Sequence, residues 1–269
     1  LIELKPFLRW AGGKYSLIEK LIPFVPQSID GTYWEPFLGA GAMFFAIQPK
    51  KAILSDLNPH LMNCYKILKY SPEKLSRYLM KYKFKHSESF YYDTRKKYNN
   101  GKLSIENAAR FIYLNKASFN GIFRVNKKGE FNVPFGYKEQ ISIPNKEYIF
   151  RASNILKDTI LISGGFNYIL QDANKNDFIY LDPPYPPING TSYFTHYTKE
   201  RFSDNDQLLL SNIAKKLSLI GCKVMISNAD KKSIREFYKG WNIKSIKVTR
   251  WVTCKKEKHN VEEIIITNY

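Results

Sequence analysis

Asp182, Pro183, Pro184 and Tyr185 are the residues best suited to chemistry, and they follow the apolar run Asp177-Phe178-Ile179-Tyr180-Leu181. A run of this kind, bounded by turn residues, reads as a short buried strand that delivers Asp182 to its carboxyl end, the edge where open α/β sheets bind ligands. Two successive prolines have fixed φ angles and donate no backbone hydrogen bond. They keep a carboxylate, a free carbonyl and an aromatic face close together: Asp182 and Pro183 supply acceptors, and Tyr185 supplies a flat ring. Two acceptors and a stacking face suit a planar ring with an exocyclic amine, whose N–H bonds they orient while its lone pair meets an electrophile. The plainer alternative is a strand that ends in a proline turn capped by Asp182.

Three earlier stretches supply partners for such a site. Trp10-Ala11-Gly12-Gly13-Lys14 joins a ring that can pack on an aromatic or sulfonium group, a turn that lets backbone approach a ligand, and an amine that can reach a carboxylate or phosphate. Gly31 to Ile47 reads as strand, glycine turn and helix, but Phe44 stands where a dinucleotide fingerprint needs its third glycine. A pyrophosphate cradle is therefore disfavoured. Glu35, at the end of that strand, suits a cationic ammonium, and Asp56, at the end of the next strand, suits ribose hydroxyls. An amino acid joined to a nucleoside describes S-adenosylmethionine.

These residues need a sheet and helices to position them, and the chain has the means. It is 269 residues long, 44% hydrophobic and 15% aromatic, enough for a large core. With 42 Lys and Arg against 24 Asp and Glu, the formal charge of +18 points to a polyanionic partner, and interleaved Tyr and Phe favour nucleic acid. No apolar run is long enough to cross a bilayer and no signal segment opens the chain, so a cytoplasmic location is expected. Leu1 is not a natural start, so residues are expected upstream. Cys64, Cys222 and Cys254 are widely spaced without a CxxC pair, and His60, His86, His196 and His259 are equally scattered. Neither a disulfide framework nor a metal site is expected.

The pattern divides the chain into a catalytic part, 1–57 with 159–269, and a helical target-recognition insertion, 58–158. Within the insertion, helices are expected over Leu61–Tyr70, Pro72–Phe84, Ser89–Tyr98 and Ile105–Ala117, and another follows over Lys146–Leu156. Lys74, Arg77, Lys81, Lys83, Lys85, Arg95, Lys96 and Lys97 can line a phosphate backbone, although such runs are often solvated helix faces. Ile122-Phe123-Arg124-Val125 and Glu130-Phe131-Asn132-Val133 alternate about the turn Asn126-Lys127-Lys128-Gly129, a β-hairpin signal. Arg124 on a hairpin can read guanine in a major groove. Beyond Asp182-Pro183-Pro184-Tyr185, Pro186 to Thr198 with Tyr193, Phe194 and Tyr197 reads as a lid. Lys255, Lys256 and Lys258 cluster in a turn between the last two strands, expected near Trp241–Val248 and Val261–Thr267.

Trp-Ala-Gly-Gly-Lys, Glu-Pro-Phe-x-Gly-x-Gly, Ser-Asp-x-Asn and Asp-Pro-Pro-Tyr, in that order, resemble the Dam-type, α-class (D12) DNA N6-adenine methyltransferases over nearly the whole chain. The resemblance implies an α/β fold: a Rossmann-like S-adenosylmethionine methyltransferase sheet with an inserted, mostly helical DNA-recognition domain carrying a β-hairpin. It implies methyl transfer to adenine N6 in duplex DNA without a metal, with Asp182, Pro183 and Tyr185 catalytic. It further implies cofactor contacts from Trp10, Lys14, Glu35, Phe37, Gly39, Gly41, Asp56, Phe166 and Asp182. Phe119 and Asn120 would probe the space left by a flipped base, Ile122 and Pro134 touch thymine methyls, Arg124 read guanine and Arg9 contact the first guanine, which points to GATC. Many relatives carry an acid where Gly165 stands, so an adenine contact by that side chain is not expected. A cognate restriction endonuclease is a possible partner. An N4-cytosine enzyme, which more often has Ser in place of Asp182, an RNA adenine methyltransferase and a catalytically dead DNA-binding scaffold remain as alternatives.

Overall fold

The computed structural model describes residues 4–186, 202–252 and 257–269. Seven strands form its sheet: β1 (Tyr33–Glu35), β2 (Ala52–Asp56), β3 (Thr159–Ser163), β4 (Phe178–Leu181), β5 (Lys223–Ala229), β6 (Asn242–Val252) and β7 (Glu257–Thr267). They lie in the order β3-β2-β1-β4-β5-β7-β6, and β7 alone runs against its neighbours. The short central strands are buried on both faces, as β4 is throughout, because helices cover both sides of a parallel sheet. β6 and β7 pair from Asn242↔Thr267 to Val252↔Glu257, a longer hairpin than their apolar pattern suggests.

Chain reversal between strands is managed by helices with good caps. After α1 (Ile18–Leu21) and α2 (Ala42–Ile47) come α3 (Pro59–Tyr70), α4 (Pro72–Phe84), α5 (Glu88–Asn99), α6 (Ile105–Ala117) and α7 (Lys146–Leu156). Past β3 follow α8 (Phe166–Ile169), α9 (Asp204–Leu219) and α10 (Lys232–Phe237). Asn58, Ser87, Ser104, Asn145 and Ser203 each accept a hydrogen bond from an amide of the first turn they precede, which satisfies donors a helix leaves open. The expected helix near Tyr15 is a short 3-10 turn that runs into α1 and out into another at Pro23.

The core has two parts, one on each face of the sheet. Trp34, Ile179, Leu181, Val224, Ile226, Ile264 and Ile266 pack with α9 and α10 through Leu210, Ala214 and Ile234. Tyr33, Leu54, Tyr180, Met225 and Ile265 belong to the other cluster, which runs without a break through α2 into Leu61, Tyr65, Leu79, Tyr91, Phe111, Tyr113 and Ile149 of α3 to α7. The helices between β2 and β3 therefore share one apolar interior with the sheet.

The expected hairpin is present as a turn but not as a ladder. Asn126 and Glu130 close it by a backbone bond, Gly129 takes φ +83° and Asn132 N–H donates to the Arg124 carbonyl, while Val125↔Phe131 is an isolated bridge. The second limb is bonded to helices instead. The Asn99 side chain accepts from Phe131 N–H at 2.9 Å and donates to its carbonyl at 3.1 Å, and Tyr91 Oη donates to the Val133 carbonyl at 2.9 Å. Alternation sends Phe123, Phe131 and Val133 into the core and leaves Arg124 exposed. The proposed lid with Tyr193, Phe194 and Tyr197 lies outside the described residues, as do Lys255, Lys256 and the side chain of Lys258.

Candidate active site

Side chains alternate along a strand, so the face that carries Tyr33, Leu54, Tyr180, Met225 and Ile265 also carries Glu35, Asp56, Asp182, Ser227 and Glu263. The reversed direction of β7 brings Glu263, opposite Ala229 of β5, to the edge where the parallel strands end. Five polar groups thus meet at one rim of the sheet. Asp177, just before β4, belongs to the opposite end, where it accepts from Thr32 N–H, Trp34 Nε1 and Asn174 N–H and locks the strand entry.

Asp182 is held on one oxygen. Oδ1 receives Lys14 Nζ at 2.8 Å and Ser227 Oγ at 2.7 Å. Because the Ser227 proton goes to Asp182, Tyr180 Oη donates to Ser227 Oγ, 3.0 Å away. Asp182 Oδ2 and the Pro183 carbonyl accept no hydrogen bond from any described residue. The turn itself is braced by Gln207, whose Nε2 donates to the Pro184 carbonyl at 3.0 Å while its Oε1 accepts from Asn228 at 3.1 Å. Tyr185 Oη donates to Glu263 Oε2 at 2.8 Å, and Lys14 Nζ sits over the Tyr185 ring at 4.6 Å. Lys14 also donates to the Gly12 carbonyl at 2.7 Å, so the Gly-Gly turn aims the amine. Of the two partners expected for Lys14, the structure supplies the carboxylate.

Burial dominates the electrostatics here. It pushes the Asp182 carboxyl up, against Lys14 and Ser227, which pull it down. Glu35 is 2% exposed, and burial lifts its carboxyl to about 8 despite hydrogen bonds from Tyr33 Oη and Phe44 N–H, with the Asp182 charge adding to the rise. Both of those bonds fall on Oε2, so Oε1 accepts none from a described residue. Asp56 is likewise raised by burial, and accepts from Gly39 N–H at 3.0 Å and Asn58 N–H at 2.9 Å.

The glycine turn after β1 answers to the protein's own packing. Gly39 and Gly41 have φ +49° and +69°, and an added Cβ would come within 2.8 Å of Trp10 Cδ1 and of Tyr65 Oη respectively. Trp10 stacks on Phe123 and Phe111, with centroids 5.4 and 6.3 Å away, and so joins the hairpin to this turn. Phe37 packs on Phe166 at 5.3 Å, and both meet Phe202. A cavity of about 330 Å³ lined by Gln48, Lys50, Asn154 and Asp158, among others, lies at the opposite edge, by the starts of β2 and β3.

The residues expected to read DNA form a second group. The Asn115 side chain accepts from Arg9 N–H at 2.9 Å and donates to the Arg9 carbonyl at 2.8 Å, which lays Arg9 against Gly121. Phe119 is 52% exposed and Asn120 takes φ +55°, so both are presented on a sharp turn. Phe119 N–H donates to the exposed Pro134's carbonyl, and Ile122 is half-buried beside them. Arg124 Nε donates to Asn132 Oδ1 at 2.8 Å, across the hairpin. Lys116, in the last turn of α6, is pushed down to about 8, by burial first and then by the charges of Arg9 and Lys138. Of the lysines and arginines expected to line phosphates, Arg77 and Lys97 pair with Glu73 and Asp93, Arg95 donates to the Val133 carbonyl, and Lys74, Lys81, Lys83, Lys85 and Lys96 are exposed.

Ser227, Gln207, Asn228, Glu263 and Asn115 escaped the sequence reading. Glu263 alone left a signal, an acid directly before the apolar run Ile264-Ile265-Ile266. Among the described residues, no three His, Cys, Asp or Glu side chains gather as metal ligands, and no helix is long and apolar enough to cross a membrane.

A sheet in this order with its seventh strand reversed, and an Asp-Pro-Pro-Tyr turn at the carboxyl end of β4, defines a Rossmann-like methyltransferase. The chain belongs to the D12 class N6 adenine-specific DNA methyltransferases, whose family model matches residues 10–252. It is 38% identical to the Type II methyltransferase M1.LlaDCHI of Lactococcus lactis subsp. cremoris, a match covering 100% of this chain and 96% of that protein. It is 37% identical to the Type II methyltransferase M.MjaIII of Methanocaldococcus jannaschii over 100% of both chains. A DNA adenine methylase of Vibrio cholerae is 34% identical over 97% of this chain and 95% of its own.

Proposed function

We propose that this chain transfers a methyl group from S-adenosylmethionine to N6 of an adenine flipped out of duplex DNA at GATC. The observation that carries the reading is the pair of acceptors without a described partner, Asp182 Oδ2 and the Pro183 carbonyl, beside the Tyr185 ring. An adenine amine has two N–H bonds for two acceptors, and its ring can stack on tyrosine. Flipping costs a few kcal/mol, offset by those contacts. As N6 takes up the methyl, positive charge grows on it beside Asp182, whose carboxylate stabilises that charge before the proton leaves.

The donor fits the residues present. When bound, S-adenosylmethionine supplies an activated methyl group, so the protein's work is alignment and desolvation. Glu35 Oε1 is available for an ammonium, and Asp56, fixed by two backbone amides, is placed for ribose hydroxyls. Gly39 and Gly41 keep backbone close to that region, and Phe37 with Phe166 offers an aromatic wall for the adenine. Trp10 stacks on the hairpin's base and acts as a link to the glycine turn.

On this reading residues 1–57 and 159–269 carry the chemistry and 58–158 the recognition. Arg124 and Arg9 read the guanines, Phe119 and Asn120 fill the gap left by the base, and Ile122 and Pro134 meet thymine methyls. The Type II names of two relatives favour a restriction–modification setting with a cognate endonuclease, and a DNA substrate favours the cytoplasm. The test is transfer of labelled methyl to duplexes with GATC and to duplexes changed at the adenine, a guanine or the thymine. Label on adenine N6 of intact GATC alone supports the whole reading. Label at other adenine sites removes the GATC assignment, and label on cytosine or on no DNA removes the reading itself.

A further inference from the structure

Glu263 is an acid in the wrong place for a structural strand. It is 2% exposed, on the inner strand β7 between β5 and β6, where Ile264, Ile265 and Ile266 follow it into the core. A buried carboxylate is costly unless it is bonded. Its Oε2 accepts the Tyr185 phenol at 2.8 Å. The phenol is the far end of the ring on which the target base would stack.

The two prolines fix the backbone approach to Tyr185 but not its side-chain rotamer. Asp182 is positioned from β5 by Ser227, and the Pro184 carbonyl from α9 by Gln207. The Tyr185 phenol is held from β7 by Glu263 in the same way. The ring face already holds a cation, Lys14 Nζ, at 4.6 Å. A phenol bonded to an acidic acceptor also has a more electron-rich face, which suits a base whose amine turns positive during transfer.

We infer that Glu263 is a positioning residue for methyl transfer: through its hydrogen bond to Tyr185 Oη it fixes the aromatic floor against which the target adenine is held. This rests on the adenine-methylating reading above. The Glu263 charge also raises the Tyr185 phenol and the Asp182 carboxyl, after burial in both cases, so it is felt at the reacting centre.

The experiment measures single-turnover methyl transfer by the full chain, with labelled S-adenosylmethionine and a duplex that the unmodified protein methylates. Glu263→Ala is expected to slow the step about tenfold, as loss of one aromatic–cation contact would, with KM for duplex and donor changed less than about twofold. Glu263→Gln, which keeps an acceptor for the phenol, is expected to recover most of that rate. Tyr185→Phe, which removes the phenol and leaves Glu263, should lose about as much as Glu263→Ala, and the double variant no more than either. If Glu263→Ala does not fold, Tyr185→Phe and Glu263→Gln decide the matter alone. A wild-type rate in Tyr185→Phe, a Gln variant as slow as a phenol-less one, or losses that multiply in the double variant would overturn the inference. A protein that methylates no DNA at all defeats the functional reading beneath it, whereas an active protein indifferent to Glu263 defeats this inference alone.

Discussion

Around Asp182 the side chains are buried and braced from β5, β7, α9 and the Lys14 turn, whereas around Arg124 they stand in solvent on a limb that helices hold from below. The first region spends folding energy to keep carboxylates out of water. Asp182, Glu35 and Asp56 are all shifted towards their protonated forms by burial. A site built this way needs little rearrangement when charge develops. The second region keeps its polar groups satisfied by each other: Arg124 is held by Asn132, a partner that the proposed reading has it exchange for guanine. On the proposed reading, chemistry is preassembled and recognition is assembled on contact.

The largest effect that tests this contrast is Asp182→Ala. It is expected to lower the single-turnover rate about 10³-fold or more, while binding of GATC duplex in gel shift changes only a few-fold. Equal loss of binding would make Asp182 part of recognition and erase the distinction. Arg124→Ala should behave in the opposite way. Discrimination against duplexes changed at the guanine it contacts should fall about 10- to 100-fold, with the rate on those duplexes nearly unchanged.

Glu35 sharpens the buried side of the comparison through pH. Its carboxyl ionises near 4.5 when the chain is unfolded and near 8 in the fold, so between those values the folded protein holds the extra proton. Stability from this group is fully present below the unfolded value and declines as pH rises through about 8. Donor binding, which wants the anion, has the opposite slope: affinity for S-adenosylmethionine should rise about tenfold per pH unit until pH nears 8, with proton release on binding. Calorimetry in buffers of different ionisation enthalpy reads both quantities, and a flat profile would mean that Glu35 does not meet the ammonium. The smallest effect belongs to Asn99. Replacing it with Ala removes two bonds to Phe131 and should cost about 1–2 kcal/mol, seen as faster amide exchange confined to the hairpin and a few-fold weaker discrimination at GATC. Uniform exchange across the sheet would show that the hairpin is not a separately held element.

What could be read beforehand follows how local each signal is. The spans Pro72–Phe84, Ile105–Ala117 and Lys146–Leu156 are legible because their start signals, Pro72 at the first turn and the caps Ser104 and Asn145, and their apolar spacing are local in sequence. The turn at Gly129 is legible for the same reason. The hairpin's missing ladder is not, because the groups that displace it, Asn99 and Tyr91, sit on α5. Asp182 is legible from its prolines, and the family resemblance supplies its company. Ser227 and Glu263 carry no motif of their own in strands β5 and β7, and only the sheet order brings them to Asp182 and Tyr185. Lys14 has the same difficulty in reverse: its amine suits many partners, and the fold selects one.

The apolar interior shared by the sheet and α3 to α7 bears on how such a protein changes its target over generations. An imported segment in place of residues 58–158 would have to reproduce Leu61, Tyr65, Phe111 and Ile149 in an apolar interior continuous with a sheet it had never met. On the proposed division of the chain, exchange of whole recognition modules by recombination is therefore a poor route to a new site. Point substitution along the solvent-facing rim, at Arg9, Asn120 or Arg124, leaves that interior untouched. Lineages on this scaffold should accordingly diverge in specificity by gradual editing of a few surface letters, with the body of the protein inherited whole.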